Sequence, residues 1–139
     1  MVIETKYKKI IVSGKRKTSV ARAVIVEGSG KVSVNKQDYN SLQLISKLRI
    51  AEPLRIAEHV LKKINFDVAI SVKGGGKESQ IDAARLALAK AIVKFTNSKE
   101  LAEAFSAYDR NLLVADVRRK EVCKPGDSKA RSKRQSSKR

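Results

Sequence analysis

Tryptophan is absent from this 139-residue chain, which holds one cysteine, one histidine, three tyrosines and three phenylalanines. Each shortage closes a route. Cys123 has no second cysteine to pair with, so neither a disulfide framework nor a cysteine-based metal site is available. His59 has no second histidine for a metal and no serine or cysteine at a nucleophile spacing, and it reads as a surface residue. With so few aromatics, most of them at core positions, stacking platforms for single-stranded bases are not expected. No apolar run approaches about 18 residues and the N-terminus has no signal-peptide pattern, so the expectation is a cytoplasmic protein. Acidic residues are also scarce: 14 Asp and Glu face 31 Lys and Arg, a net charge of +17 and a pI near 10.3. Such an excess repels itself unless a polyanion neutralises it, which points to nucleic acid. A membrane surface fits less well, because no basic amphipathic helix presents exposed Phe or Leu.

What is present is organised around Phe66–Phe95 (FDVAISVKGGGKESQIDAARLALAKAIVKF). Phe66, Val68, Ile70 and Val72 alternate with Asp67, Ala69, Ser71 and Lys73, the period of a half-buried strand. Gly74, Gly75 and Gly76 release the chain from that conformation. Ile81, Leu88, Ile92 and Phe95 then recur on one helical stripe, with Asp82, Lys90 and Lys94 elsewhere and Ser79 or Glu78 as the expected cap. A glycine turn opening a helix can face an anion. Two phosphate motifs fail on spacing, however. Ser71 and Glu78 stand where a P-loop needs Gly and Ser/Thr, and Ser79 stands where the dinucleotide fingerprint needs its third glycine. A turn without a ligand and an anion site both remain open on these residues.

The length suits one domain with an extension. Tyr7–Ser13 reads as a strand broken by Gly14, Lys15-Arg16-Lys17 as a charged turn, and Thr18–Glu27 as a second strand. Val20, Val24 and Val26 share one of its faces with Arg22; Ala21, Ala23 and Ile25 share the other, where their small size predicts close packing, for instance of the later helix. Glu27-Gly28-Ser29-Gly30 is a hairpin signal returning into Lys31–Asn35. A helix capped by Asp38 or Asn40 is expected through Leu48 with Leu42 and Ile45 apolar. A separate one begins at Pro53 and runs to about Ile64 along Leu54, Ala57 and Leu61. Asn97-Ser98-Lys99-Glu100 resembles a capping box and starts a last helix along Leu101, Phe105 and Tyr108. Leu112-Leu113-Val114 ends the apolar pattern.

Domain boundaries follow from charge. Residues 1–117 carry 21 basic and 12 acidic side chains; residues 118–139 carry ten and two. The tail is therefore about five times denser in net charge per residue, and it offers little apolar surface to offset ordering entropy, so it is expected to be disordered when free. Extended, it would reach roughly 70 Å at about 3.3 Å per residue. If it neutralises about eight phosphates, RNA binding should fall with salt on a log–log slope on the order of −5 to −7.

Four stretches carry a resemblance. Gly74-Gly75-Gly76, Ser79-Gln80, Ala83, Ala87 and Ala89-Lys90 resemble the signature of the universal ninth protein family of the small ribosomal subunit. Gly14-Lys15-Arg16-Lys17-Thr18-Ser19-Val20-Ala21-Arg22 resembles the N-terminal motif of the same family. Ala130-Arg131, Arg134-Gln135 and Ser137-Lys138-Arg139 resemble the end of its tail. Tyr108-Asp109-Arg110, Leu112–Asp116 and Arg118-Arg119 lean toward its archaeal and eukaryotic branch.

The resemblance implies a two-layer α/β (α+β) sandwich, like the second domain of ribosomal protein S-five. A mostly antiparallel sheet would be covered by helices, with a left-handed βαβ crossover. It implies a ribosomal, non-enzymatic role without a cofactor, a metal or a small-molecule substrate. The implied partners are rRNA of the small-subunit head, neighbouring small-subunit proteins, and the anticodon stem-loop of tRNA in the peptidyl site. Carried over residue by residue, the rRNA-binding candidates are Lys15, Arg16, Lys17 and Arg22 in the first motif, and Gly74, Gly75, Gly76, Lys77 and Gln80 at the glycine turn. Along the tail they are Arg118, Arg119, Lys120, Lys124, Lys129, Arg131, Lys133 and Arg134. Lys138 and Arg139 are the candidates for tRNA. Arg16 and Arg22 have the forked geometry for phosphate oxygens. One departure stands out: Ser136 occupies a place where many relatives carry an aromatic residue, which leaves charge rather than stacking at the tail's end.

Two other classes compete. An RNA-processing ribonucleoprotein subunit is one, since the ribonuclease P protein resembles this family in fold; but no Arg-Asn-Arg helix motif is present and Arg85 has no basic partner one turn away. A generic nucleic-acid binder is the other, and it would not require matched motifs at both ends of the chain. No paired carboxylates or metal constellation supports catalysis by the chain itself.

Overall fold

A computed structural model describes residues 9–126 and 129–131. Among the described residues five strands form one sheet: β1 (Ile10–Arg16), β2 (Ser19–Glu27), β3 (Val32–Val34), β4 (Gln37–Asp38) and β5 (Phe66–Lys73). Their spatial order is β1-β2-β5-β3-β4. Every neighbouring pair is antiparallel except β3 and β5. Three helices, α1 (Leu44–Leu61), α2 (Lys77–Thr96) and α3 (Lys99–Tyr108), complete an α+β fold. The parallel β3–β5 pair is joined across α1, the one crossover unit among the described residues.

Strand alternation sets the layers. Phe66, Val68, Ile70 and Val72 of β5 are buried on the same face as Ala21, Ala23 and Ile25 of β2 and Val32 and Val34 of β3. The helices cover that face. α2 lies against β1, β2 and β5 and carries more than a stripe: Ala83, Ala84, Ala87, Ala89 and Ala91 are buried with Leu86, Leu88 and Ile92. The alanines let its backbone approach the small residues of β2, as their pattern predicts. Phe66 meets Phe95 edge to face at a centroid distance of 6.0 Å, a favoured aromatic geometry.

Four expectations are corrected. Gly14 does not break β1; the strand runs through it, and its bare Cα lets α2 come close. A Cβ there would lie 2.6 Å from the Ala83 carbonyl oxygen and 2.7 Å from the Ala87 nitrogen. The tight turn instead falls at Lys17-Thr18, with Lys17 at φ 51°; Tyr7 and Lys8, the proposed start of that strand, lie outside the described residues.

Secondly, Gly28–Gly30 does not form a hairpin to a neighbouring strand. β5 lies between β2 and β3, and the loop wraps the Asp67 carboxylate, which accepts the N–H groups of Ser29, Gly30 and Lys31 at 2.8, 2.9 and 2.8 Å. Those bonds, that of Lys31 foremost, hold the Asp67 carboxyl below its ordinary pKa of 3.8. A two-residue hairpin falls instead at Asn35-Lys36 between β3 and β4, both residues at positive φ, as a type I′ turn requires.

Thirdly, one helix, α1, replaces the two expected. Pro53 sits inside it and is itself buried with Ile50, Leu54 and Ala57; burial of that face offsets the cost of a missing N–H, about 3 kcal/mol. The expected apolar positions Ile45 and Leu48 face solvent instead, and Asp38 caps a short 3-10 turn over Tyr39–Ser41. Lastly, α2 begins at Lys77, ahead of Ser79 and Glu78. Ser79 serves from the third helical position, where its hydroxyl accepts the Gly76 N–H at 3.1 Å. The strand β5, the last helix with Ser98 as its cap, and buried Leu101, Phe105 and Leu112 stand as expected.

Candidate nucleic-acid interface

Sheet register brings the glycine turn and the first basic motif to the same end of the molecule. Ser19, buried at the start of β2, donates its hydroxyl to the Gly74 carbonyl at 2.9 Å and lies 2.8 Å from the Ser79 hydroxyl. Gln80 donates its side-chain amide to the same carbonyl at 3.1 Å. Gly74 and Gly75 have φ near +77° and +69°, and a Cβ on Gly74 would meet the Thr18 carbonyl at 2.8 Å. The two turns therefore abut, and the polar groups named here are used to close them. Gly74–Gly76 and Lys77 are solvent-exposed at this end.

The first basic motif splits across the sheet because its residues alternate. Lys15 is exposed and Lys17 stands at the hairpin tip. Arg16 points to the helical side, where it is ion-paired with Asp116 and lies 3.8 Å from Asp82. Asp116, only 12% exposed, is also gripped by Arg118 at 2.7 Å. Arg49 from α1 joins Asp82 at 3.0 Å and Glu78 at 2.7 Å. Nearby, Arg85 bridges Glu52 at 2.6 Å and Asp109 at 3.0 Å. The network borders a small cavity of about 120 Å³. It fastens the segment that follows a second 3-10 turn, Arg110–Leu112, to β1 and α2, so Arg16 and Arg118 meet carboxylates here. Arg49 carried no motif signal and Asp116 marked only the family branch; the non-local pairing of Arg16 could only come from the fold.

Arg22 lies on the other side of the sheet, which no helix among the described residues covers. It shares a row with Ser13 and Ser71, and with Lys36, Lys73, Ser33, Val20 and Val24 it borders a shallow concavity of about 1000 Å³. Lys36 and Lys73 were not singled out from sequence: nothing in their spacing signals that register places them beside Arg22.

Along the tail, residues 117–126 form no helix or strand, and Arg118, Arg119, Lys120, Lys124, Lys129 and Arg131 are exposed. Arg131 meets Glu121 at 2.9 Å, both largely in solvent, a pair of small energetic value. Lys133, Arg134, Lys138 and Arg139 lie outside the described residues. Among the described residues there is no His, Cys, Asp and Glu group able to hold a metal, Cys123 and His59 are exposed, and no helix is long and apolar enough to cross a membrane.

Against known proteins, residues 14–139 match the family described as ribosomal protein S9/S16. The chain is 48% identical over 127 residues to small ribosomal subunit protein uS9 of Methanococcus vannielii, covering 89% of this chain and 93% of that one. It is 45% identical over 129 residues to the uS9 protein of Thermoplasma volcanium, covering 92% and 96%. The uS9 protein of Methanococcus maripaludis strain C7 is similar at 50% identity over 127 residues, covering 89% and 93%. These relatives are archaeal, the branch toward which residues 108–119 lean.

Proposed function

The chain belongs to the ribosomal protein S9/S16 family, and from that premise we propose that it is a non-catalytic structural constituent of the small ribosomal subunit. Its body, residues 1–117, holds rRNA of the head domain and packs beside neighbouring small-subunit proteins. Its tail, residues 118–139, threads between RNA strands toward the peptidyl-tRNA site, where Lys138 and Arg139 approach phosphates of the anticodon stem-loop. The observation that carries this reading is the unbroken family match from the first basic motif to the last residue. The remaining features agree in kind. A net charge of +17 calls for a polyanion. The exposed cations Lys15, Lys17 and Lys77 gather at one end of the body, and the tail continues from the ionic network at that end. Arg16 and Arg118 act there by setting the tail's exit through Asp116. Arg85 is occupied by Glu52 and Asp109, which gives no support to an RNA-cleaving ribonucleoprotein role.

The test compares the full chain with one ending at Val117. Each is titrated against a transcript of the small-subunit head domain in the presence of excess unrelated duplex DNA. Selective binding by both, with the tail adding affinity and a steeper salt dependence, is the expected result. A truncated chain that binds nothing, with a full chain that prefers neither nucleic acid, would reduce the protein to a generic polycation.

A further inference from the structure

The described helices occupy one face of the sheet only, and the other gathers cations and hydroxyls. On it, Arg22 of β2 lies across from Ser71 of β5, and Lys73, two residues further along β5, lies diagonal to Arg22. Diagonal cross-strand neighbours sit about 7–8 Å apart, the scale that separates consecutive phosphates along a nucleic-acid strand. Lys36 enters from the β3–β4 turn on the opposite flank, and Ser33 adds a second hydroxyl to that of Ser71. Between them the floor is low and aliphatic, with Val20, Val24 and Ala69 exposed or half-buried. No carboxylate is among the described residues that border this concavity of about 1000 Å³.

We propose that this uncovered sheet face cradles the sugar–phosphate backbone of an RNA strand, with Arg22, Lys73 and Lys36 on phosphates and Ser33 and Ser71 on phosphate or ribose oxygens. The proposal rests on the ribosomal reading for the identity of the RNA. The sign of the charge and the two hydroxyls argue for RNA over a protein segment, which would have to bring its own carboxylates. Among the described residues the lining holds no aromatic ring, which makes this a backbone contact without base reading. Arg22 had a motif to mark it; Lys36, Lys73 and the serines are assigned by the fold alone.

The test uses the full chain and two double variants of equal charge loss: Arg22→Gln with Lys73→Gln on the open face, and Lys63→Gln with Lys94→Gln, two exposed lysines that do not border the concavity. The probes are the head-domain transcript and an unrelated RNA of the same length. Open-face loss should weaken transcript binding about tenfold at near-physiological salt and flatten the log–log salt slope by about 2, one unit per phosphate contact. The control pair should change both far less, and the urea midpoints of all three proteins should agree. Unchanged affinity in the open-face variant overturns the proposal and gives the face to another partner. Equal losses in the two variants overturn it as well, because only overall charge would then matter. If the wild-type chain fails to prefer the transcript over the unrelated RNA, the ribosomal reading fails; a loss confined to the open-face variant would still uphold the cradle.

Discussion

The two faces of the same sheet have opposite constructions. Toward the helices, β2 presents Ser19, Ala21, Ala23 and Ile25, all fully buried, and β1 offers the bare Cα of Gly14 to the backbone of α2. Toward solvent, the alternate positions of the same strands carry Val20, Arg22 and Val24, with Lys15 and Lys73 on either side. A period of two thus writes two messages into one segment: small residues that set the distance to a helix, and cations that await an anion. The family's N-terminal motif mixes both, which is why three adjacent charges, Lys15 to Lys17, end in three different environments.

That contrast can be broken from the inner face first. Gly14→Ala puts a methyl group against the backbone of Ala83 and Ala87, and overpacking that only a shift of the helix can relieve costs about 3 kcal/mol; urea unfolding should show it. Asp116→Asn removes the negative charge that Arg16 and Arg118 share and one of its two acceptor oxygens, and should cost about 1.5–3 kcal/mol. It should also loosen residues 114–120, seen as faster amide exchange there with little change in β5. Asp67→Asn, which spares the inner face but weakens the loop that carries the chain past β5, should destabilise less. Its effect has a pH signature: the lowered carboxyl pKa gives stability that is full above about 3.8 and fades as pH falls through the folded value. The stability gap between wild type and this variant should therefore narrow on acidification. The smallest effect belongs to the outer face, where Arg22→Gln with Lys73→Gln should leave stability within about 0.5 kcal/mol while RNA affinity falls.

The inner layer was largely legible from sequence, because burial imposes periodicity: Phe66 to Val72 at period two and the alanine-rich α2 at period 3.6 are visible before any contact is known. Pro53 and Gly14 misled because local propensity was outvoted by packing, a buried helix face in one case and a close backbone approach in the other. Gly28-Ser29-Gly30 misled differently. Its turn chemistry is real, but the partner is Asp67, nearly forty residues away. The basic motif announced itself, yet the commitment of Arg16 to Asp116 and the convergence of Lys36 and Lys73 on Arg22 are products of sheet order, which no local spacing encodes.

The central claim is that the open face holds RNA while the helical face holds the fold. Lysine acylation of the full chain, free and bound to the head-domain transcript, tests it most directly. Lys36 and Lys73 should be strongly slowed by the transcript, and Lys63 and Lys94 should react as they do in the free protein. Uniform protection of all four, or protection confined to Lys63 and Lys94, would contradict it.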